Sequence, residues 1–374
     1  TPLASTLAPR PNVQPDNMTP SETRIELAGQ SVVLTYSSVG AEYDALRRRA
    51  VVVNRSHRGR MRFSGAKAAD VLTGLVTNDV LSLAPGQGQY AVALTAKGKV
   101  VSDMRVLRTE NDFVTDASPR SREAWVGVVR KYVNPRLARY SDESAALLAL
   151  GVYGVQARHV VEHITGIGAS ALGIMPPYAH ATVARDDTAI IVMRSPDLEV
   201  EGYDLFVPAP QFERVWNSAV SARATPAGLA VWEIARIEAG RPEWGIDLDD
   251  TTMPQEANLD SLDAISFTKG CYTGQEVVAR VHFRGHVNRT LRGLRFPKAS
   301  PPRRATLFDG TGKFVGDVTS CVASPRLGTL GLGMVRREVE NGAQLIARWP
   351  ADATGEQAAG ETQVDVVPLP FTAA

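Results

Sequence analysis

Short apolar runs alternate with glycine and proline turns along the chain, a pattern typical of many short strands. Alternation around a turn at residues 28–30 predicts a hairpin within residues 25–37. Residues 90–94 and 99–107 predict a second pair of strands, joined by a turn at 96–98. Further strands are predicted at residues 51–53, 147–155 and 189–194.

Apolar residues at helical spacing predict helices between these strands. A helix over residues 210–222 has one apolar face. Ser118, followed by Pro119, predicts the cap of a helix that runs to about Val133. Further helices are predicted at residues 43–49, 66–75 and 229–238.

The texture of the chain changes twice. Residues 1–20 contain five prolines and no apolar signal-peptide core, which predicts a disordered leader. Residues 21–288 mix helices and strands, and we expect two α+β subdomains there, about 21–116 and 117–288. Residues 289–374 contain only short alternating runs, which predict a C-terminal β-barrel. The predicted fold class is therefore α+β with a barrel.

Composition narrows the function classes. The chain has 374 residues, of which 44% are hydrophobic and 22% charged, with a formal net charge of +1. This length suits two or three packed domains. The near-zero charge argues against a protein that coats itself with nucleic acid. Since no apolar run reaches the roughly 18–20 residues of a membrane-spanning helix, we expect a cytoplasmic protein without membrane contact.

The chain has two cysteines, Cys271 and Cys321. This count excludes a disulfide scaffold and favours reduced thiols in the cytoplasm. Because neither cysteine belongs to a Cys-x-x-Cys motif or a histidine cluster, no self-contained metal site is expected. Cys321 lies in a strand-like run and is expected to be structural.

Chemistry-bearing residues are densest at residues 269–280, KGCYTGQEVVAR. Gly270 and Gly274 flank Cys271 and allow close approach of a ligand. Nearby cations lower the pKa of a thiol, and Lys269 lies two residues before the cysteine.

A bland alternative exists for the same thiol. In that interpretation Cys271 is a small buried residue at the start of a helix that Thr273 caps. Arg280, which closes the segment, is the second cation of the functional interpretation. Spacing alone leaves both interpretations open.

Asp103 stands in a strand of otherwise apolar residues. If it points inward, it is a costly buried carboxylate, and such groups often have a function. If it shares the solvated face with Arg105, it is an ordinary surface residue. The periodicity favours neither reading.

Two further charged segments have a functional and a structural reading. Arg236 and Glu238 are two residues apart and cannot share a helix face, so each needs separate partners, either ion pairs or an anionic ligand. Ion pairs are favoured. Within the basic stretch at residues 55–62, the cluster at residues 57–60 suits binding of a carboxylate, a phosphate or RNA, but a solvated charged turn is the favoured interpretation.

Four segments together resemble the YgfZ-type folate-binding proteins, relatives of the glycine-cleavage T-protein, an aminomethyltransferase. They are KGCYTGQEVVAR, HRGRMRFSGAKAADVLTGLVTNDV, GQGQYAVALTAKGKVVSDM and ARIEAGRPEWGIDL. The resemblance covers roughly residues 43–295. It implies two α+β subdomains and a β-barrel around a central folate channel.

The resemblance also assigns roles to residues. Asp103 matches an aspartate that lies near the reactive nitrogens of tetrahydrofolate, and Tyr90 matches a tyrosine of the folate pocket. The implied cofactor is tetrahydrofolate or a one-carbon derivative. The implied catalytic residues are Cys271, Lys269 and Asp103, and the implied cofactor-binding residues are Tyr90, Asp103, Arg236, Gly270, Tyr272, Gly274, Gln275, Glu276 and Arg280.

One position departs from the T-protein pattern. A pterin-binding glutamate of the T-protein matches Val200 in this chain, with acidic residues on both sides. The Cys-containing segment, in contrast, is typical of YgfZ-type proteins.

The leading hypothesis is therefore a monomeric, tetrahydrofolate-binding accessory protein for iron–sulfur cluster assembly or repair and dependent tRNA modification. Its expected partners are iron–sulfur client proteins and tRNA-modifying enzymes. One alternative is an aminomethyl or methyl transferase that uses tetrahydrofolate. The other is an RNA- or protein-binding adaptor that uses residues 57–62.

Overall fold

A computed structural model of the chain describes residues 22–185, 188–297, 301, 304–351 and 358–372. The predicted leader, residues 1–20, lies outside the described residues. None of the described helices is long and apolar enough to cross a membrane.

Two lists give the bounds of the elements. The strands are β1 (Thr23–Leu27), β2 (Gln30–Thr35), β3 (Val51–Asn54), β4 (Gly59–Ser64), β5 (Gln87–Leu94), β6 (Val100–Arg108), β7 (Asp112–Ala117), β8 (Arg139–Asp142), β9 (Leu147–Tyr153), β10 (His180–Arg185), β11 (Thr188–Arg194), β12 (Gly202–Pro208), β13 (Thr225–Pro226), β14 (Arg289–Phe296), β15 (Thr306–Phe308), β16 (Phe314–Ser324), β17 (Gly328–Arg336), β18 (Gln344–Trp349) and β19 (Gly360–Val367). The helices are α1 (Val39–Arg48), α2 (Ala68–Leu75), α3 (Arg122–Tyr132), α4 (Ala157–Thr165), α5 (Ala169–Gly173), α6 (Phe212–Ser221), α7 (Leu229–Glu238) and α8 (Gln275–Arg284).

Two sheets form the centre of the molecule. One has the strand order β5-β6-β7-β4-β8, and the other has the order β10-β11-β12-β9-β3-β13. Their facing sides share one apolar cluster, to which Val92 and Val114 contribute from the first sheet and Ala149 and Phe206 from the second. Side chains of a strand alternate between faces, so each sheet also has an outer face to cover.

Helices cover both outer faces. Side chains of α2 and α3, including Leu72 and Trp125, pack on the first sheet around Phe63. Side chains of α4 and α6, including Val160 and Val215, pack on the second sheet. The resulting order of layers is helix, sheet, sheet, helix, which places the facing sides of the sheets deep inside the protein.

The C-terminal strands close into a barrel with the order β14-β17-β16-β15-β18-β19. Its interior holds alternate residues of the strands, such as Leu294, Phe296, Leu345 and Val364. A second cluster joins the outside of the barrel to Ile237 of α7. The predicted α+β fold with a C-terminal barrel is confirmed.

The two sheets do not separate at one point of the chain. β3 precedes residue 116 but pairs with β9 of the second sheet, whereas β8 follows residue 116 and pairs with β4 of the first. A single cut at 116 therefore does not divide the sheets. The domain limits stay a prediction.

Most local predictions are confirmed, but that for Ser118 is wrong. The predicted cap lies in a turn, where its carbonyl accepts a hydrogen bond from the backbone N–H of Ser121 at 3.1 Å. The helix begins four residues later, at Arg122. Pro119 starts this turn instead of the helix, since its fixed φ suits both.

Candidate functional site

A carboxylate and a tyrosine meet on the inner face of the first sheet. β5 and β6 pair antiparallel with Val92 opposite Asp103, which places Tyr90 diagonally beside Asp103 on the same face. The Tyr90 hydroxyl donates a hydrogen bond of 2.8 Å to Asp103 Oδ2. Asp103 is only 7% exposed. The inward interpretation of Asp103 is confirmed, and the solvated alternative is wrong.

The second oxygen of this carboxylate has no partner. Asp103 Oδ1 is buried and accepts no hydrogen bond from any residue that the structure describes. Burial raises the pKa of Asp103, although Arg58 and the Tyr90 hydroxyl act in the opposite direction. A buried acceptor without a donor is costly in a native protein. Such a group with a raised pKa is typical of a functional site.

Two aromatic rings and a guanidinium lie near Asp103. The Tyr90 and Tyr178 rings stack with their centroids 6.4 Å apart. The Arg241 guanidinium lies 5.2 Å from the Tyr90 centroid and donates to the Tyr178 hydroxyl at 3.0 Å. It also donates to Asp197 Oδ1 at 2.6 Å. Sequence reasoning did not identify Tyr178, Asp197 or Arg241, because each comes from an irregular segment far from Asp103.

The basic stretch predicted at residues 55–62 is largely buried. Asp116 accepts hydrogen bonds from Arg58 Nε at 2.6 Å, Arg60 Nη1 at 3.4 Å and Arg105 Nε at 3.0 Å. Burial alone would raise the pKa of Asp116, but these arginines hold it well below its usual value. The neighbouring imidazole of His57 is also buried, and burial together with the nearby arginines lowers its pKa.

These contacts correct the prediction of a solvated charged turn. The guanidinium of Arg60 is fully buried, and that of Arg58 nearly so. Arg62 is half-buried and forms ion pairs with Asp112 and Glu143. The cations that an RNA-binding adaptor would need at this place are therefore buried or held in ion pairs.

Arg236 and Glu238 find separate partners, as predicted. The five N–H groups of Arg236 donate to Glu233, Asp247, the Arg241 carbonyl and Ser320. Because Ser320 belongs to β16, this arginine joins α7 to the barrel. No N–H of the guanidinium remains for a ligand.

The 269–280 segment contains an exposed thiol. Cys271 is exposed, so its interpretation as a buried residue is wrong. The helix α8 begins at Gln275 after Gly274, whose φ is 84°, and Thr273 does not cap it. Glu276 and Arg280 are exposed on α8 and Gly270 is exposed before it, whereas Tyr272 is buried.

Lys269 anchors this segment to the end of α2. Its ammonium donates to the carbonyls of Thr73, Val76 and Asn78 at 2.6, 2.7 and 2.8 Å. Burial lowers the pKa of Lys269 to about 8. All three N–H groups of the ammonium are thus bonded to carbonyls, so Lys269 has a structural role in this segment. That Lys269 also lowers the pKa of the Cys271 thiol stays a prediction.

The same segment contacts the hairpin that carries Asp103. A Cβ on Gly98, in the turn between β5 and β6, would lie 3.1 Å from the Val277 side chain of α8. Asp103 lies three residues beyond Val100, about 10 Å along the strand. The thiol-bearing segment is therefore next to the turn of the hairpin, and the Asp103–Tyr90 pair lies further along it.

The loop before β12 contains the Val200 position. Val200 is half-buried and packs against an apolar cluster. The adjacent Glu201 forms ion pairs with Arg158 and Arg194. Asp197, three residues before Val200, is the acid of this loop that contacts Arg241.

Residues 24–268 match the family described as the GCVT N-terminal domain. This match covers more than half of the chain. The chain belongs to the GCVT family. Its resemblance to the T-protein group is thereby confirmed at the level of the family, and the YgfZ-type assignment stays a prediction.

Curated relatives of this GCVT-family protein have the name aminomethyltransferase. The one from Rubrobacter xylanophilus is 29% identical over 349 residues, which cover 93% of this chain and 90% of the relative. That from Geobacillus kaustophilus is 29% identical, covering 93% and 94%. That from Thermotoga neapolitana is 27% identical, covering 87% and 89%.

A solved structure supports the fold. The glycine cleavage system aminomethyltransferase T from Bartonella henselae superposes with a TM-score of 0.82 over 94% of this chain and 95% of that chain. The two sequences are 21% identical. The GCVT-family protein therefore has the fold of that aminomethyltransferase, including the barrel.

Proposed function

We propose that this GCVT-family protein is a tetrahydrofolate-dependent one-carbon transferase of the aminomethyltransferase type. The observation that carries the proposal is the buried Asp103, whose Oδ1 has no hydrogen-bond partner among the described residues. The name that its relatives have supports the reaction class. This reverses the order of the two hypotheses from the sequence.

The residues around Asp103 suit a folate. The open acceptor at Oδ1 complements an N–H group of a ligand. The stacked rings of Tyr90 and Tyr178 offer an aromatic surface for a flat heterocycle. Bound tetrahydrofolate supplies the nitrogen atoms that carry a one-carbon unit.

The protein contributes the position and the proton affinity of one carboxylate. The Tyr90 hydroxyl fixes Oδ2, which leaves Oδ1 as the atom that faces a ligand. Because burial raises the pKa of Asp103, its carboxylate is a better proton acceptor than one in water. Arg58 and Arg241 favour its charged form, so the group is able to hold and release a proton at this atom.

The test is the Asp103→Asn variant, which keeps the size of the side chain and removes its basicity. Tetrahydrofolate affinity, measured by calorimetry, should change by less than about tenfold. Formation of methylene-tetrahydrofolate from a lipoyl-bound aminomethyl donor should fall by about 100-fold or more. The control is Asp70→Asn on the exposed face of α2, which should match the wild type.

A second candidate function rests on a different observation, the exposed thiol of Cys271 in a segment that Lys269 anchors. It is the YgfZ-type role in iron–sulfur cluster assembly or repair and dependent tRNA modification. Cys271→Ser should then abolish support of iron–sulfur enzyme activity in cells that lack the wild-type protein. Cys321→Ser is the matched control in the barrel. Full support by Cys271→Ser would contradict this role.

A further inference from the structure

The hydroxyl of Tyr178 has a hydrogen-bond donor but no acceptor. It accepts a bond of 3.0 Å from Arg241 Nη2, and its own O–H reaches no acceptor among the residues that the structure describes. Tyr178 is only 8% exposed, and a buried donor without an acceptor is costly in a native protein. The transfer proposed above uses the ring of Tyr178 but not this hydroxyl.

Tyr178 also has a strained backbone. Its φ is 61°, in the left-handed region that bulky residues rarely adopt. Its backbone N–H donates to the Arg194 carbonyl at 2.9 Å. Its carbonyl oxygen packs against Gly88 of β5, where a Cβ would lie 2.6 Å away. Strain that the surroundings hold in place clusters at ligand-binding sites, so a function is expected for the side chain that it fixes.

An ion pair fixes the position of the Tyr178 hydroxyl. Arg241 Nη2 donates both to that hydroxyl and to Asp197 Oδ1, at 3.0 and 2.6 Å. The other oxygen of Asp197 accepts from Arg105 at 3.2 Å. Burial raises the pKa of Tyr178 to about 12, although Arg241 acts in the opposite direction, so the hydroxyl keeps its proton at neutral pH. The result is a fixed O–H donor that the neighbouring guanidinium polarises.

This donor belongs to the same site as Asp103. The ring of Tyr178 stacks on the ring of Tyr90 at an angle of 14°, and the Tyr90 hydroxyl bonds to Asp103. Beside this aromatic pair, two groups lack a partner within the described ranges: the acceptor Asp103 Oδ1 and the O–H donor of Tyr178. A ligand that completes both has an N–H group and an acceptor atom on or beside a flat ring.

We propose that the Tyr178 hydroxyl donates to the ring carbonyl oxygen of the pterin, with Arg241 and Asp197 as positioning residues. This inference rests on the proposed function and adds the group that selects an oxo pterin. Because Arg241 is already paired with Asp197, the donor suits a neutral carbonyl better than a carboxylate. An amino group in place of that carbonyl offers no lone pair to the O–H, which would stay unbonded.

The test compares two ligands that differ at one position, tetrahydrofolate and its 4-amino-4-deoxy analogue. Calorimetry measures the binding of each to the full chain. The wild type should bind tetrahydrofolate about tenfold more tightly than the analogue, because only the oxo group accepts from Tyr178. Tyr178→Phe keeps the stacked ring and removes the hydroxyl. It should lower the affinity for tetrahydrofolate by about tenfold and change that for the analogue by less than about threefold.

The control is Tyr132→Phe, at an exposed tyrosine of α3, which should bind both ligands like the wild type. An equal loss of affinity for both ligands in Tyr178→Phe would show a merely structural role and overturn the proposal. No loss for either ligand would also overturn it. Absence of tetrahydrofolate binding by the folded wild type would overturn both this proposal and the proposed function. Failure of the transfer alone is seen separately, as binding of tetrahydrofolate without product.

Discussion

Asp103 is the central residue of the proposed function because of its contact with Tyr90. Tyr90 occupies one of its oxygens and leaves the other open inside the protein. A structural carboxylate in such a position would be expected to have donors on both oxygens. The arrangement instead keeps a proton-accepting atom ready at the cost of stability.

That cost predicts a pH dependence of stability. Because the pKa of Asp103 is raised in the folded state, the unfolded chain releases this proton at lower pH than the folded protein does. The folded state therefore becomes less stable as pH rises above the ordinary pKa of an aspartate carboxyl. Asp103→Asn should therefore unfold at higher denaturant concentration than the wild type at pH 7. Each unit of pKa shift contributes about 1.4 kcal/mol to the difference.

The measurement is urea unfolding at several pH values. The gap between Asp103→Asn and the wild type should shrink as pH falls toward the ordinary carboxyl pKa, because the raised pKa keeps the folded wild type more protonated than the unfolded chain. A gap that is constant with pH would show that Asp103 has an ordinary pKa. The exposed Asp70→Asn variant again serves as the control.

The sequence identified Asp103 as a candidate residue but did not show whether its side chain points into the protein or into solvent. β6 is buried on both faces over most of its length, so alternation of polar and apolar residues gives no signal. The burial of the arginines around Asp116 could not be predicted either, because it depends on ion-pair partners from distant segments of the chain. Asp103 was singled out as a carboxylate in an apolar strand, whereas Tyr90 was identified only through the family resemblance.

At the scale of elements, the 269–280 segment shows how glycine permits a contact. Gly274 has a φ of 84°, and a Cβ there would lie 2.6 Å from the Thr95 carbonyl. Gly270 has open space around the same position. Two glycines of one motif thus have different physical reasons to be glycine.

This contrast gives a matched prediction. Gly274→Ala should lower the free energy of unfolding by about 1–3 kcal/mol, since it combines a left-handed backbone with a clash against backbone atoms. Gly270→Ala should change it by less than about 0.5 kcal/mol. Thermal or urea unfolding of the two variants decides the matter, and equal stabilities would contradict the role given to Gly274.

Local patterns predicted the elements themselves well. The first hairpin and helices α2, α6 and α7 are observed close to their predicted limits, because their apolar periodicity is local information. The prediction that Ser118 caps a helix failed because a serine before a proline is typical both of a helix cap and of a turn. The start of α8 failed similarly, since only the packing of Gly274 on the β5–β6 turn shows where the helix begins.

At the scale of the molecule, buried polar contacts join the parts that apolar packing brings together. Arg236 connects α7 to Asp247 and to Ser320 of the barrel. Arg105 similarly connects the two sheets through Asp116 and Asp204. Such long-range pairings are invisible in one sequence, which is why most predicted helices and strands were found but the contacts that join them were not foreseen.

Breaking one junction should destabilise the whole protein. Arg236→Met removes the cation and leaves Glu233 and Asp247 without it, so unfolding should become easier by about 3–5 kcal/mol. Arg348→Met breaks an exposed pair with Glu361 in the barrel and should cost at most about 1 kcal/mol. Urea unfolding compares the two, and similar losses would contradict the special role of Arg236.

The central claim is that Asp103 handles a proton in a folate-dependent transfer. Its most direct test is the rate of methylene-tetrahydrofolate formation by the wild type and by Asp103→Asn at saturating tetrahydrofolate. We predict a measurable rate for the wild type and a loss of about 100-fold or more in the variant. Equal rates, or no product from the folded wild-type protein, would contradict the account.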